Sequence, residues 1–206
     1  MFLVVVSLMP TAAVAQDTAA RRVIVLTRDA NDSRVPMVRA AVGFWNRTLA
    51  DLDLAVRVAI DDVLVDPPST RVLEYFARQV SQRGGRLPRG VNGPPLPMEL
   101  TDLAADIVVL LSRQPLMPFA WPLIGSPSYL VAIRAAEPRR PSNDKVLKNV
   151  VAHELGHTLG LTHNRATATL MCGPCSSTAA EDNPQEWLPL TADDRARLRE
   201  LHAAAR

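Results

Sequence analysis

The chain has no excess of charge of either sign. Its 206 residues carry 23 Lys plus Arg against 21 Asp plus Glu, a formal net charge of +2. A dedicated nucleic-acid binder gathers basic residues on one face, and this balance argues against one. The small cluster Arg83, Arg86 and Arg89 lies in a Gly/Pro-rich stretch without interleaved aromatics and reads as a solvated loop. No apolar run reaches the roughly 20 residues needed to cross a bilayer, so stable membrane insertion is not expected. Internal repeats and low-complexity blocks are absent. Cysteine is confined to Cys172 and Cys175, which limits the chain to one internal disulfide. What remains is an ordinary globular composition: 48% of the residues are apolar, which excludes general disorder. The length fits one domain, or at most two small ones.

Phe2 to Val14 is mostly apolar and interrupted by Pro10. Ala13-Val14-Ala15 comes next as a small-residue cleavage pattern, then polar Gln16 and Asp17. Residues 1–15 therefore read as a secretory signal peptide cut after Ala15, although no Lys or Arg precedes the apolar run. The expected mature chain is a single domain over residues 16–206, secreted or periplasmic. In that oxidising setting Cys172 and Cys175 can bond.

Val23–Leu26 reads as a buried strand, and Val35, Val38, Ala41, Val42, Trp45 and Leu49 recur at helical spacing over about 35–50. Leu54–Ile60 reads as a second strand, with Asp61-Asp62 and Asp66-Pro67-Pro68 marking a turn region. Ser69 or Thr70 can cap a helix over about 70–82 that presents Val72, Tyr75, Phe76 and Val80 on one face. Residues 84–98 read as loop. Ala104–Leu111 is the candidate central strand, and the prolines from Pro115 to Pro127 demote their own stretch to edge or loop. Tyr129–Ile133 is one more strand. Asn143 or Asp144 starts a long helix through about Leu159, and Thr191 caps a last helix with Leu198 and Leu201 on its buried face. This order suggests a mixed α/β domain with a twisted sheet.

The long helix contains His153-Glu154-Leu155-Gly156-His157. A spacing of four puts both imidazoles on one face, one turn apart, where they can bind one zinc ion with Glu154 beside the metal but not ligating it. Gly160 accepts a left-handed backbone and can end the helix sharply, so that the chain doubles back and His163 supplies a third nitrogen. Three protein ligands leave a fourth position for water, the arrangement of a catalytic zinc site. The expected chemistry is peptide hydrolysis through a zinc-bound water, with Glu154 as the general base.

His153 to His163, read H-E-L-G-H-T-L-G-L-T-H, resembles the extended zinc motif of the metzincin metallopeptidases. Leu170-Met171 stands where the matrixin (matrix metalloproteinase-like) branch has its Met-turn, and Leu190–Asp194 is similar to the start of the matrixin C-terminal helix. Ala105-Asp106-Ile107 also resembles the matrixin central strand. The resemblance implies an α+β, metzincin/zincin-like catalytic domain. Its sheet would be mostly parallel with an antiparallel edge strand, joined by a long active-site helix and a C-terminal helix. It further implies that Met171 is an apolar floor under the zinc, and that the carboxylates of the last helix tie it to the Met-turn or the chain start. Two departures stand out. Asn164 replaces the Ser or Thr that follows the third His in matrixins, and Cys172-Gly173-Pro174-Cys175 replaces the Pro-x-Tyr pocket wall. His202 is left as a surface or helix-packing residue, so one catalytic zinc and no second His-built site are expected.

Cys172-Gly173-Pro174-Cys175 also matches the thioredoxin redox tetrapeptide, but it does not stand between a strand and a long helix. A local disulfide that stiffens the pocket wall is the plainer reading. The alternative to a peptidase is a non-hydrolytic zinc-binding interaction module on the same fold, against which the intact Glu154 argues. The expected partner is a peptide or protein substrate, added as a strand to the sheet edge near residues 116–124, where Pro118 and Pro122 limit the number of ladder bonds.

Overall fold

The computed structural model describes residues 20–82, 95–124, 126, 128–135, 143–173 and 178–203. The expected signal peptide, the Arg83–Arg89 cluster and Cys175 lie outside the described residues. Five strands form one sheet: β1 (Ala20–Thr27), β2 (Arg57–Val65), β3 (Ile107–Leu111), β4 (Phe119–Pro122) and β5 (Tyr129–Ile133), in the order β2-β1-β3-β5-β4. Every pairing is parallel except that of β4, which runs antiparallel to β5 with Ala120 opposite Val131.

The central strands are continuous apolar runs because both faces of the sheet are covered. Alternate residues go to opposite cores. Val23, Val25, Ile107, Val109, Leu111, Val131 and Ile133 join one. Ile24, Leu26, Val108, Leu110, Leu130 and Ala132 join the other. Helix α1 (Val35–Asp51) and helix α4 (Asp144–Thr158) cover the first face, while α2 (Pro67–Gln82) and the one-turn α3 (Met98–Thr101) cover the second. Topology explains the split. The chain moves outward from β1 to β2 through α1, then back past β1 to β3 through α2. Right-handed crossovers taken in opposite directions place their helices on opposite faces. Two further helices, α5 (Thr178–Asp182) and α6 (Ala192–His202), pack on the first face.

Several boundaries differ from the sequence reading. The second strand starts at Arg57 and runs through Asp61 and Asp62, which read as a turn. β2 is an outer strand, and its register against β1 shifts between Val23 and Ile24. A bulge on a half-solvated edge accommodates acidic residues that a central strand would reject. α2 begins at Pro67, three residues early, because a proline in the first turn has no N–H to leave unpaired. Its cap is Asp66, whose carboxylate accepts from Ser69 N at 3.1 Å, and not Ser69 or Thr70. The buried stripe is Leu73, Phe76, Ala77 and Val80, while Val72 and Tyr75 face solvent. In α6, Leu198 is fully buried but Leu201 is 40% exposed. α5 is a short helix between the Cys172–Cys175 tetrapeptide and α6 that the sequence analysis does not single out.

One buried ion pair closes the end of the sheet. Arg34 donates to the carbonyls of Leu111 (3.0 Å), Ser112 (2.6 Å) and Ile133 (3.3 Å), where β3 and β5 end. Its other contact is Asp32, at 2.7 Å. Burial pushes the Asp32 carboxyl up, but the hydrogen bonds and charge of Arg34 outweigh it and hold the group below its ordinary 3.8.

Candidate metal centre

α4 starts where Asn143 caps it, its side-chain oxygen accepting from Lys145 N at 3.0 Å. The helix ends at Leu159, and Gly160 takes φ +90° to turn the chain back. Leu161 N donates to Gly156 O at 3.1 Å and closes the turn. The positive φ sets glycine at this position, and a Cβ there would stand 2.5 Å from the half-exposed tip of Leu201, which would have to turn aside. The returning chain brings His163 to the face of α4 that carries His153 and His157.

The three Nε2 atoms lie 3.0 Å (His153 to His163), 3.2 Å (His153 to His157) and 3.2 Å (His157 to His163) apart. The separation between His153 and His157 is not a hydrogen bond. His153 Nδ1 faces Leu170 O at 2.6 Å, and His157 Nδ1 faces Leu161 O at 2.8 Å. A carbonyl only accepts, so each Nδ1 carries the proton and each Nε2 presents a lone pair. Nitrogens converging at this distance suit a cation among them. Ligands held ~2.0–2.1 Å from a tetrahedral zinc ion stand ~3.3–3.4 Å apart, close to the observed spacing. The donor set therefore fits zinc. Among the described residues these three histidines form the one His/Cys/Asp/Glu group able to hold a metal ion.

Electrostatics suits ligation too. Burial pushes the His153 imidazole down to about 4, against the pull of the Leu170 carbonyl, with His157 and His163 adding to the depression. Burial is also the main cause lowering His157. Both rings are neutral at neutral pH, as a metal ligand must be. Glu154 is 6% exposed. Burial raises its carboxyl to about 8, with a backbone hydrogen bond from Ala120 pulling the other way. A dication held by the neighbouring imidazoles would pull that value down.

Met171 is fully buried against α4. A Cβ on Gly156 would come 2.7 Å from Met171 Sδ and 2.9 Å from Trp45 Cζ2, so glycine lets the methionine approach the helix beside its histidine stripe. A Cβ on Gly173 would come 2.5 Å from His163 Cγ, so that glycine lies flat on the third imidazole. Asn164 links this loop to α6, its Nδ2 donating to Asp194 Oδ2 at 3.0 Å. Asp194 is also the capping-box residue of α6, accepting from Thr191 N at 2.9 Å.

The expected site residues His153, Glu154, His157, Gly160, His163 and Met171 thus come together in one place. Cys172 adjoins them, 9% exposed, in an isolated bridge with Asn164. His202 packs away from the site, its Nε2 2.8 Å from Leu159 O. Pro118 precedes β4 and Pro122 ends it, so the expected edge is the antiparallel outer strand. The acceptors Leu161 O and Leu170 O were not legible in the sequence, because any residue type supplies a carbonyl. The same is true of Gly173, whose role is defined by what it does not carry.

The fold and the tripod together define a metallopeptidase centre. The sequence profile of the matrixin family matches residues 80–203, and the chain belongs to that family of peptidases. Matrixins are zinc-dependent, and zinc is the cofactor of this chain. Among solved structures, the chain is similar to archaemetzincin from Methanopyrus kandleri, with 18% identity, a TM-score of 0.49, and coverage of 92% of this chain and 98% of that one. It is also similar to a zinc-dependent peptidase from Methanocorpusculum labreanum, with 18% identity, a TM-score of 0.42, and coverage of 86% and 99%. No curated protein sequence matches it. No helix among the described residues is long and apolar enough to cross a membrane.

Proposed function

We propose that this matrixin is a secreted zinc endopeptidase in which His153, His157 and His163 hold the metal and Glu154 is the general base. The observation that carries the reading is the convergence of three imidazole nitrogens within 3.0–3.2 Å, beside a buried glutamate on the same helix. When bound, zinc lowers the pKa of water and polarises a substrate carbonyl. Glu154 takes the proton of the attacking water on a carboxylate oxygen and returns it to the leaving amine. Burial favours the first of these transfers, since it raises the affinity of the carboxylate for a proton. The Leu161 and Leu170 carbonyls keep His153 and His157 in the ligating tautomer.

The substrate binds as an added strand on β4, whose outer edge is not taken by another strand among the described residues. Pro122 has no N–H to offer and that of Ala120 donates to Glu154, so the ladder has few donors on this strand. Cys172 and Cys175 close a short disulfide that shapes the pocket wall; the absence of any free cysteine among the described residues supports this. A loop that short contributes shape more than global stability. Export rests on the signal-like residues 1–15, and the mature chain would begin at Gln16.

The test is digestion of a mixed peptide library by the chain from Gln16 onward, beside Glu154→Ala, both zinc-loaded and with a chelator control. Internal cuts made by the parent and lost in the variant, at equal zinc content, are expected. Zinc-loaded parent that makes no internal cut would turn the reading toward a binding module.

A further inference from the structure

Leu170 is held through both of its backbone groups. Its carbonyl accepts from His153 Nδ1 at 2.6 Å, and its N–H donates to Pro189 O at 2.9 Å. The residue before Pro189 is fixed in turn, because Leu188 N donates to Asn149 Oδ1 at 2.8 Å. Asn149 Nδ2 donates to Glu186 O at 3.0 Å and to Lys145 O at 2.8 Å. Asn149 is 3% exposed and stands on α4 one turn before His153. The bonds therefore close a ring. It leaves α4 at Asn149, crosses residues 186–189, passes through Leu170 and returns to α4 at His153. The helix that carries the imidazole also carries the amide that locates its acceptor.

We propose that Asn149 is a positioning residue for the metal centre, setting the orientation of His153 through Leu188, Pro189 and Leu170. The inference rests on the reading of His153 as a zinc ligand. A buried amide is costly unless satisfied, and this one is used at both ends on backbone, its oxygen on Leu188 and its nitrogen on Glu186 and Lys145. The Lys148–Glu186 ion pair on the same segment is largely exposed on its acidic side and holds little. Trp187 stacks on Phe44 with centroids 4.7 Å apart, which keeps the segment docked by apolar contact when the amide is gone. Loss of Asn149 should therefore loosen the placement of Pro189 and Leu170 without releasing the segment. A misplaced Leu170 carbonyl lets the His153 ring rotate and weakens its ligation.

The control lies on α1. Asn46 makes the same kind of latch to the outer strand β2 with no bond to the histidine loop, donating to Val58 O at 2.8 Å and accepting from Val58 N at 2.9 Å. The experiment uses the full mature chain with Asn149→Ala, Asn46→Ala and His153→Ala. Zinc affinity is read by chelator competition, and ligand geometry by the visible spectrum of the Co²⁺-loaded protein. Asn149→Ala should lower zinc affinity about tenfold, the lower end for groups that orient a metal ligand, and shift the Co²⁺ bands. Asn46→Ala should lose similar stability and change neither. Parent-like affinity and spectrum in Asn149→Ala, or an equal change in Asn46→Ala, overturns the proposal. If Asn149→Ala does not fold, amide exchange in the parent decides. Zinc loading should then slow the Leu170 and Leu188 amides more than the Val58 amide, and equal slowing refutes the coupling. His153→Ala separates the two levels. Unchanged zinc affinity there sinks the assignment of the ligand itself; a collapse there with a silent Asn149→Ala sinks only the positioning role.

Discussion

Alanine at position 156 should destabilise this protein, although glycine in a helix ordinarily invites replacement. In an open helix, Gly→Ala gains about 0.5–1 kcal/mol from backbone entropy. Here the new Cβ would meet Met171 Sδ at 2.7 Å and Trp45 Cζ2 at 2.9 Å. Ordinary contact between such atoms is ~3.5–4.0 Å. Both neighbours are fully buried, and Trp45 is pinned through Nε1 to Ala152 O at 2.8 Å. Met171 must therefore move, by nearly an ångström. Overpacking of this kind costs ~1–3 kcal/mol, so the net change is a loss of about 1–2 kcal/mol after the helix gain. For a domain of this size each 1 kcal/mol is ~2–4 °C in Tm. Urea unfolding of chelator-treated protein measures it free of metal linkage. The same substitution in a Met171→Ala background should cost less, since the methyl group then meets Trp45 alone. Gly156→Ala that raises stability in the parent would refute the packing argument. So would effects in the two backgrounds that agree within ~0.3–0.5 kcal/mol.

The same geometry dictates three other outcomes. His153 is depressed to about 4 chiefly by burial, against about 6.5 in an unfolded chain. The unfolded state then binds the extra proton between those values, so metal-free stability is complete above ~6.5 and falls as pH drops toward 4. The urea midpoint of the parent should fall more between pH 7 and 4.5 than that of His153→Gln; equal slopes would count against it. Arg34→Met should cost about 3–5 kcal/mol, because it strands a buried Asp32 and removes a donor from three carbonyls. Adding Asp32→Asn should recover part of that loss, and a neutral single mutant would show the pair to be idle. Gly160→Ala should cost ~1–3 kcal/mol from its positive φ alone and lower zinc affinity by displacing His163. Leu201→Ala should relieve the clash but not the strain, so full rescue would contradict this account.

Much of the architecture was legible because it depends on local pattern. The apolar runs of β1, β3 and β5 announce strands covered on both faces, and Tyr129–Ile133 is found where the sequence places it. Asn143 and Thr191 cap the two helices that their positions in the sequence assign to them. The metal centre was readable for the same reason: its ligands sit on one helix and one glycine turn. The misreadings fall where tertiary context decides. Asp61 and Asp62 look like turn residues unless β2 is known to be an edge. The buried stripe of α2 shifts by one position once Pro67 is admitted to the helix. The acceptors of His153 and His157 are carbonyls, which no side-chain pattern can encode. Asn149 gives no signal either, since its partners lie some 40 residues along the chain and bond through backbone.

The last helix grips the metal loop at both of its ends. Asp194 in its first turn holds Asn164, next to His163, and His202 in its last turn holds Leu159 at the end of α4. A chain emerging during synthesis displays both helix histidines and the glutamate well before it has made either clasp. The loop of the third imidazole gains its clasp to α6 when residues 191–202 have been added and folded back. The metal site is then completed late in the life of the polypeptide, and a chain still being made carries the motif before it carries the clasped loop.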